Sequence, residues 1–190
     1  IGRSLEKLNK LEEELGERIR SFSVDLSDIE NLNCIREELS NGRFVVKYLI
    51  NNAGTGRMAV STDFTDQEIQ SHINTHNTSV AVLCNICIPF MERGSHIINV
   101  ASQSAFQPVA YINLYAACKA FCYSYSRALN MELKDKGIGV TVACPGWIRT
   151  ELLQTEMNGR RVSFPHLAEP DDVVKQTLKD AGRGKDMSVY

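Results

Sequence analysis

Apolar residues recur along this chain with two spacings that alternate. Leu5, Leu8, Leu11 and Leu15 form a stripe at helical spacing, which Ser4 can cap and Gly16 can end. Residues 19–24 then read as a strand. Residues 28–39 read as a helix with Ile29, Leu32, Ile35 and Leu39 on one face. Residues 45–50 are a short, nearly unbroken apolar run, the pattern of a strand buried on both faces of a parallel sheet. A turn, Asn51-Asn52-Ala53-Gly54, follows. Thr65-Asp66-Gln67-Glu68 has the form of a capping box and opens a helical region that runs, with room for a break, to about Met91. Residues 96–101 read as a second buried strand and 113–136 as a long helix that Gly137 can stop. A third buried strand, 139–143, is broken by Pro145-Gly146, and a last helix runs from Pro170 to Gly182.

Alternating strands and helices with continuously apolar strands predict an α/β protein: a Rossmann-like, doubly wound parallel sheet covered on both faces. No repeat or linker divides the chain, so residues 1–190 are read as one domain. The one long irregular stretch is 152–169, read as a lid or binding loop or a short helix pair.

Composition narrows the function classes. The chain is 43% hydrophobic and 23% charged, ordinary for a globular core. Its net charge of −2, from 21 basic and 23 acidic residues without long blocks of one sign, argues against a nucleic-acid footprint. No apolar run reaches the roughly 18 residues of a membrane span, and no leader pattern is visible. The chain starts at Ile1 rather than Met, which leaves room for an upstream segment. Six cysteines lie in apolar or helical stretches and read as reduced core thiols of a cytoplasmic protein. Cys84-Asn85-Ile86-Cys87 matches C-x-x-C but lacks a second pair, so no metal is expected.

In open α/β sheets, ligands bind beyond the carboxyl ends of the strands. Asp25, Asn51, Ser102 and Pro145-Gly146 occupy those ends. Tyr115 and Lys119 stand four apart and share a helix face. A phenol with a pKa of about 10 exchanges protons poorly at neutral pH. A fixed ammonium nearby favours the phenolate, which makes the pair a candidate general acid/base. Taken alone, the same pair also describes a solvated helix face.

Ser102-x12-Tyr115-x3-Lys119, together with Asn51-Asn52-Ala53-Gly54, Pro145-Gly146-Trp147-Ile148-Arg149-Thr150 and Asp25-Leu26, resembles the signature set of the short-chain dehydrogenase/reductase family, in its order and at its approximate spacing. The resemblance covers nearly the whole chain. It implies hydride transfer between NADP(H) and a carbonyl or secondary alcohol, with Tyr115 as general acid/base, Ser102 bonding the substrate oxygen and Lys119 holding the nicotinamide ribose. A family asparagine supports a water that relays protons to the lysine. Asn74 and Asn77 compete for that role, and Asn74 fits the spacing better. The resemblance places Thr150 on the nicotinamide carboxamide, with Pro145, Gly146 and the Ile148 backbone close by. The Asn51, Ala53 and Gly54 backbones fall on the adenosine side, and Asp25 and Leu26 at the adenine. Arg3 and Ser4 fall where NAD-preferring members often carry an acidic residue. A guanidinium there suits a 2′-phosphate, hence NADP(H).

Members with a similar Tyr-x-Ala-x-Lys-Ala-Phe segment act on steroid and 3-oxoacyl substrates. The resemblance also implies a homodimer or tetramer through the helices near 74–92 and 113–136, which carry Val80, Val82, Leu83, Phe121 and Leu129. The other reading is a family relative that binds dinucleotide as a sensor or partner-binding module without turnover. The family's T-G-x-x-x-G-x-G turn is absent from these 190 residues, as are its first strand and nearly all of its second. The chain ends about where a last strand should begin. It is therefore read as part of a longer protein, and by itself is expected to bind NADPH poorly.

Overall fold

The computed structural model describes residues 1–150, 153, 156, 157 and 160–190. Helices α1 (Leu5–Leu15) and α2 (Asn33–Asn41) precede strand β1 (Tyr48–Asn51), followed by α3 (Asp66–Ile73), α4 (Ser79–Cys87) and β2 (His96–Val100). Then come α5 (Asn113–Leu133), β3 (Gly139–Cys144), the short strands β4 (Glu156–Met157) and β5 (Arg160–Arg161), α6 (Pro170–Gly182) and β6 (Met187–Val189). Strands β1, β2, β3 and β6 pair in that order, all parallel, with helices flanking the sheet. Strands β4 and β5 form a separate antiparallel ribbon within the stretch 152–169. The rest of the prediction for that stretch, beginning with Leu152, lies largely outside the described residues.

Local chemistry sets the element ends. Ser4 Oγ accepts from Lys7 N at 3.3 Å, and Gly16 closes α1 at φ 58°. Thr65 and Glu68 form the reciprocal capping box, with Glu68 N donating to Thr65 Oγ1 at 3.2 Å and Thr65 N to Glu68 Oε2 at 2.8 Å. The helical region after it is split by a π-helical turn, Asn74–Thr78. Such turns widen a helix locally and recur at functional sites. Helix α5 ends at Leu133, three residues before the expected 136, and Gly137 (φ 68°) turns the chain into β3.

The core has two main parts. Leu129 and Leu133 of α5 pack with Ile97, Ile138 and Val140, while Leu32 and Ile35 pack with Val24 and with Leu83, Ile86 and Cys87 of α4. Each such side chain, fully buried, contributes roughly 1.5–3 kcal/mol. Five of the six cysteines are buried free thiols and only Cys34 is exposed. Among the described residues, no helix is long and apolar enough to cross a membrane.

A buried polar chain joins sheet to helix. Asn51 Nδ2 donates to Asn99 Oδ1 at 2.8 Å, Asn99 Nδ2 to Ser126 Oγ at 2.9 Å, and Ser126 Oγ to the Cys122 carbonyl at 2.6 Å. It ties the carboxyl end of β1 to β2 and α5.

Four expectations change. Residues 19–24 make one bridge, Gly2 to Ser23, rather than a strand: Gly2 N donates to Phe22 O and Val24 N to Gly2 O, and the ladder goes no further among the described residues. Strand β1 is the sheet edge, so Tyr48 and Ile50 are exposed rather than buried on both faces. Of the α1 stripe only Leu8 is buried. Val80, Leu83 and Leu129 pack within the chain's own core, and of the residues expected at a subunit contact Phe121 is the exposed one.

Candidate active site

The carboxyl ends of β1, β2 and β3 open on one cavity of about 580 Å³. Strand β1 delivers Asn52, Ala53 and Gly54, β2 delivers Ala101 and Ser102, and β3 delivers Pro145 and Gly146. Sheet pairing continues past the strands: Ala101 N donates to Ala143 O at 2.7 Å and Gln103 N to Pro145 O at 2.9 Å. Those bonds hold Ser102 at the cavity floor. Its Oγ accepts from Ser104 N at 3.2 Å, capping a short turn.

From α5, Tyr115 and Lys119 reach the same cavity. Burial holds the Tyr115 phenol above its ordinary pKa, outweighing the opposing influence of the Ser102 side chain. Lys119 is 5% exposed; its Nζ donates to the Val100 carbonyl at 2.7 Å and lies 5.5 Å from the Tyr115 ring centroid. Burial pulls the ammonium below the usual lysine range. In this structure burial of the ring is the dominant influence on the phenol, and it favours the protonated form.

Ser102, Tyr115, Lys119, Ala53, Gly54, Pro145, Gly146, Ile148 and Thr150 are thus brought together at one cavity. Asn74 is not. Its Nδ2 donates to the Ser27 carbonyl at 2.8 Å, and it lines shallow surface grooves beside Asp28 and Ile73. The π-helical turn is the reason, because it rotates the helix between 74 and 78 and gives the α5 side to Asn77. Asn77's amide donates to the Cys118 carbonyl on α5 at 3.1 Å. Asn51 points inward to Asn99 rather than lining the cavity, where its neighbour Asn52 sits instead.

Arg3, Ser4, Asp25 and Leu26 also lie off the cavity. The Gly2–Ser23 bridge sets Arg3 and Ser4 next to Asp25. The Asp25 carboxylate accepts from Ser27 N and Oγ at 2.9 and 2.8 Å; these bonds, with a smaller effect from Arg3, hold it below the usual range. Leu26 packs against the α2–α4 cluster.

Sequence reasoning missed His72 and His76. They share a helix face four residues apart, a spacing that could have marked them. His76 is buried and lines the cavity under Gly54, where a Cβ would come within 2.7 Å of its Cε1. Only glycine lets that turn approach so closely. The opposite wall is apolar: Trp147 lies 4.7 Å from Phe164, ring to ring, near Val109 and Ile112. Among the described residues, no three His, Cys, Asp or Glu side chains converge as metal ligands.

The family model of short chain dehydrogenases matches residues 1–161. The chain is similar to 17-beta-hydroxysteroid dehydrogenase type 3 of Rattus norvegicus, 32% identical over 187 residues, covering 94% of this chain and 59% of that protein. It therefore spans well under two thirds of that relative's length. Its structure is similar to a short-chain dehydrogenase from Sphingobium yanoikuyae in complex with NADPH, with TM-score 0.81, 26% identity and coverage of 97% and 73% of the two chains. It also shares its fold with a 3-ketoacyl-(acyl-carrier-protein) reductase from Brucella melitensis complexed with NADH, with TM-score 0.81, 23% identity and coverage of 98% and 82%.

Proposed function

The chain belongs to the short-chain dehydrogenase/reductase family, and on that premise we propose that it is an NADP(H)-dependent oxidoreductase interconverting a carbonyl and a secondary alcohol. The observation that carries the reading is the meeting of Ser102, Tyr115 and Lys119 at one cavity.

The residues present fit a dinucleotide at its nicotinamide end. An ammonium has three donors, and among the described residues Lys119 uses one of them, on Val100. The others suit a ribose diol. The backbone of Ala53 and Gly54 suits the adenosine side, and Thr150 with the Ile148 backbone suits the carboxamide. When bound, the dinucleotide supplies or accepts the hydride. Ser102 Oγ donates to the substrate oxygen and orients it. Tyr115 Oη gives that oxygen a proton in reduction and takes one back in oxidation. Asn77, rather than Asn74, is the asparagine on the lysine side.

The Trp147–Phe164 wall supports a lipophilic carbonyl of medium size, and steroids and 3-oxoacyl compounds are the classes to try first. The buried free thiols support a reducing compartment, read as the cytoplasm. A homodimer or tetramer is proposed through the α5 surface, where Phe121 and Met131 are exposed.

A panel of steroid, 3-oxoacyl and aryl ketones with NADPH, run on the intact protein, tests this reading. Ketone-dependent NADPH oxidation is expected; dinucleotide binding without turnover of any ketone would favour the sensor reading.

Cofactor choice is tested at Arg3. A charge-assisted bond to a 2′-phosphate is worth about 1.5–3 kcal/mol, or roughly 10- to 100-fold. Arg3→Asp should raise the KM for NADPH by that factor and leave the KM for NADH little changed. Equal losses for the two dinucleotides would show that Arg3 does not select the phosphate.

A further inference from the structure

Thr55, the residue after the Asn51–Gly54 turn, is gripped by two histidines one helical turn apart. His76 Nε2 lies 3.0 Å from Thr55 N and 2.8 Å from Thr55 O, and Thr55 Oγ1 lies 3.3 Å from His72 Nδ1. The two rings stack with centroids 4.3 Å apart. Both meet Tyr115 edge-on, at 5.6 Å for His76 and 6.3 Å for His72. His76 is 1% exposed, and its Nδ1 and the Nε2 of His72 are buried with no hydrogen-bond partner. Orphaned imidazole nitrogens cost stability. Aliphatic side chains would fill the same space without that cost, so the polar edges that face Thr55 are what the site uses.

Only one of the two contacts at His76 Nε2 can be a hydrogen bond at a time. The Thr55 N–H is directed at Nε2, so Nε2 accepts from it and the ring proton sits on Nδ1. Burial, then the Lys119 ammonium, then His72 hold His76 neutral, down to about 3; burial and Lys119 also lower His72. The titratable groups facing the pair are Tyr115 and Lys119, both from α5.

Thr55 is one end of a short wall. The other end is pinned where Ala59 N donates to Tyr111 O at 2.9 Å, and between the pins Gly56, Arg57 and Met58 line the cavity. We propose that His72 and His76 are positioning residues: as a neutral stacked pair they clasp Thr55 and hold the 56–58 wall at a fixed separation from Tyr115, setting the room open to substrate. The substrate part of this rests on the oxidoreductase reading; the clasp does not.

The test uses the intact protein with His76→Leu, His76→Gln and His72→Leu. Gln can place an amide oxygen where Nε2 accepts; Leu cannot. In the wild type, nitrogen NMR at neutral pH should find the His76 proton on Nδ1. In His76→Leu the Thr55 amide should exchange about tenfold faster, the worth of a hydrogen bond of roughly 1.4 kcal/mol, with α5 amides unchanged and Gln restoring protection. With an accepted ketone, KM should rise by a similar factor while kcat holds. A proton on Nε2 would overturn the bond from Thr55 N, and a Thr55 amide indifferent to His76→Leu would overturn the clasp. A fall in kcat with unchanged KM would overturn its role in setting substrate room. If the wild type turns over no ketone, the functional reading fails, while tautomer and exchange still judge the clasp. Should His76→Leu not fold, His72→Leu and the wild-type tautomer decide.

Discussion

Tyr115→Phe is expected to cut kcat about 10²- to 10⁴-fold, the range of a positioned general acid or base, while dinucleotide affinity changes little. The ring remains to pack against His72 and His76, but the oxygen that moves the proton is gone. The pH profile sharpens the test. Burial raises the phenol above its ordinary value of 10.0, so Tyr115 is protonated throughout the neutral range. Reduction needs that proton, so its rate should be flat through neutrality and fall only on the alkaline side. Oxidation needs the phenolate, so its rate should climb as pH rises toward the same limit. In Tyr115→Phe both alkaline limbs should vanish. A variant that keeps near-wild-type kcat, or keeps the alkaline limbs, would remove Tyr115 from the proton-transfer role.

The second large effect is on stability. Asn99→Leu takes away the acceptor of Asn51 Nδ2 and the donor to Ser126 Oγ. Ser126 keeps its bond to the Cys122 carbonyl, and Asn51 keeps only a 3.6 Å contact with the Cys84 sulfur. Asn99 is fully buried and Asn51 nearly so, so water cannot replace the lost partner. A buried amide left unpaired costs about 1–3 kcal/mol, which in a domain of this size lowers Tm by roughly 2–4 °C per kcal/mol. Asn51→Leu should cost a similar amount. The double variant should cost clearly less than the two together, because replacing both partners leaves no orphaned amide. Additive losses in thermal or denaturant unfolding would show that the two asparagines do not act as a unit. The same pair seats the start of the turn that lines the cavity, so the single variants should also weaken dinucleotide binding.

The sequence by itself determined the elements whose cause is local, and with them the class of fold. The Thr65–Glu68 box, the Ser4 cap, Gly16 and Pro170–Gly182 needed only nearby donors and acceptors, and each stands where it was read. Continuous apolar runs located β2 and β3 because those strands are buried on both faces. Ser102, Tyr115 and Lys119 were legible because their spacing, with the turns around them, resembles the family's signature; strand ends and an i, i+4 spacing by themselves also describe a solvated helix face. Tertiary structure decided the rest. Whether residues 19–24 form a strand depends on which backbone lies beside them, and burial of residues 45–50 depends on β1 being an edge. The choice between Asn74 and Asn77 turned on a π-helical turn, which rotates the helix face by an amount no spacing rule anticipates. His72 and His76 became visible only when folding brought Thr55, Tyr115 and Lys119 around them. The protonation of Tyr115 was decided in the same way. Local spacing predicted attraction to a cation, but desolvation depends on everything packed around the ring, and that sum exists only in the folded chain.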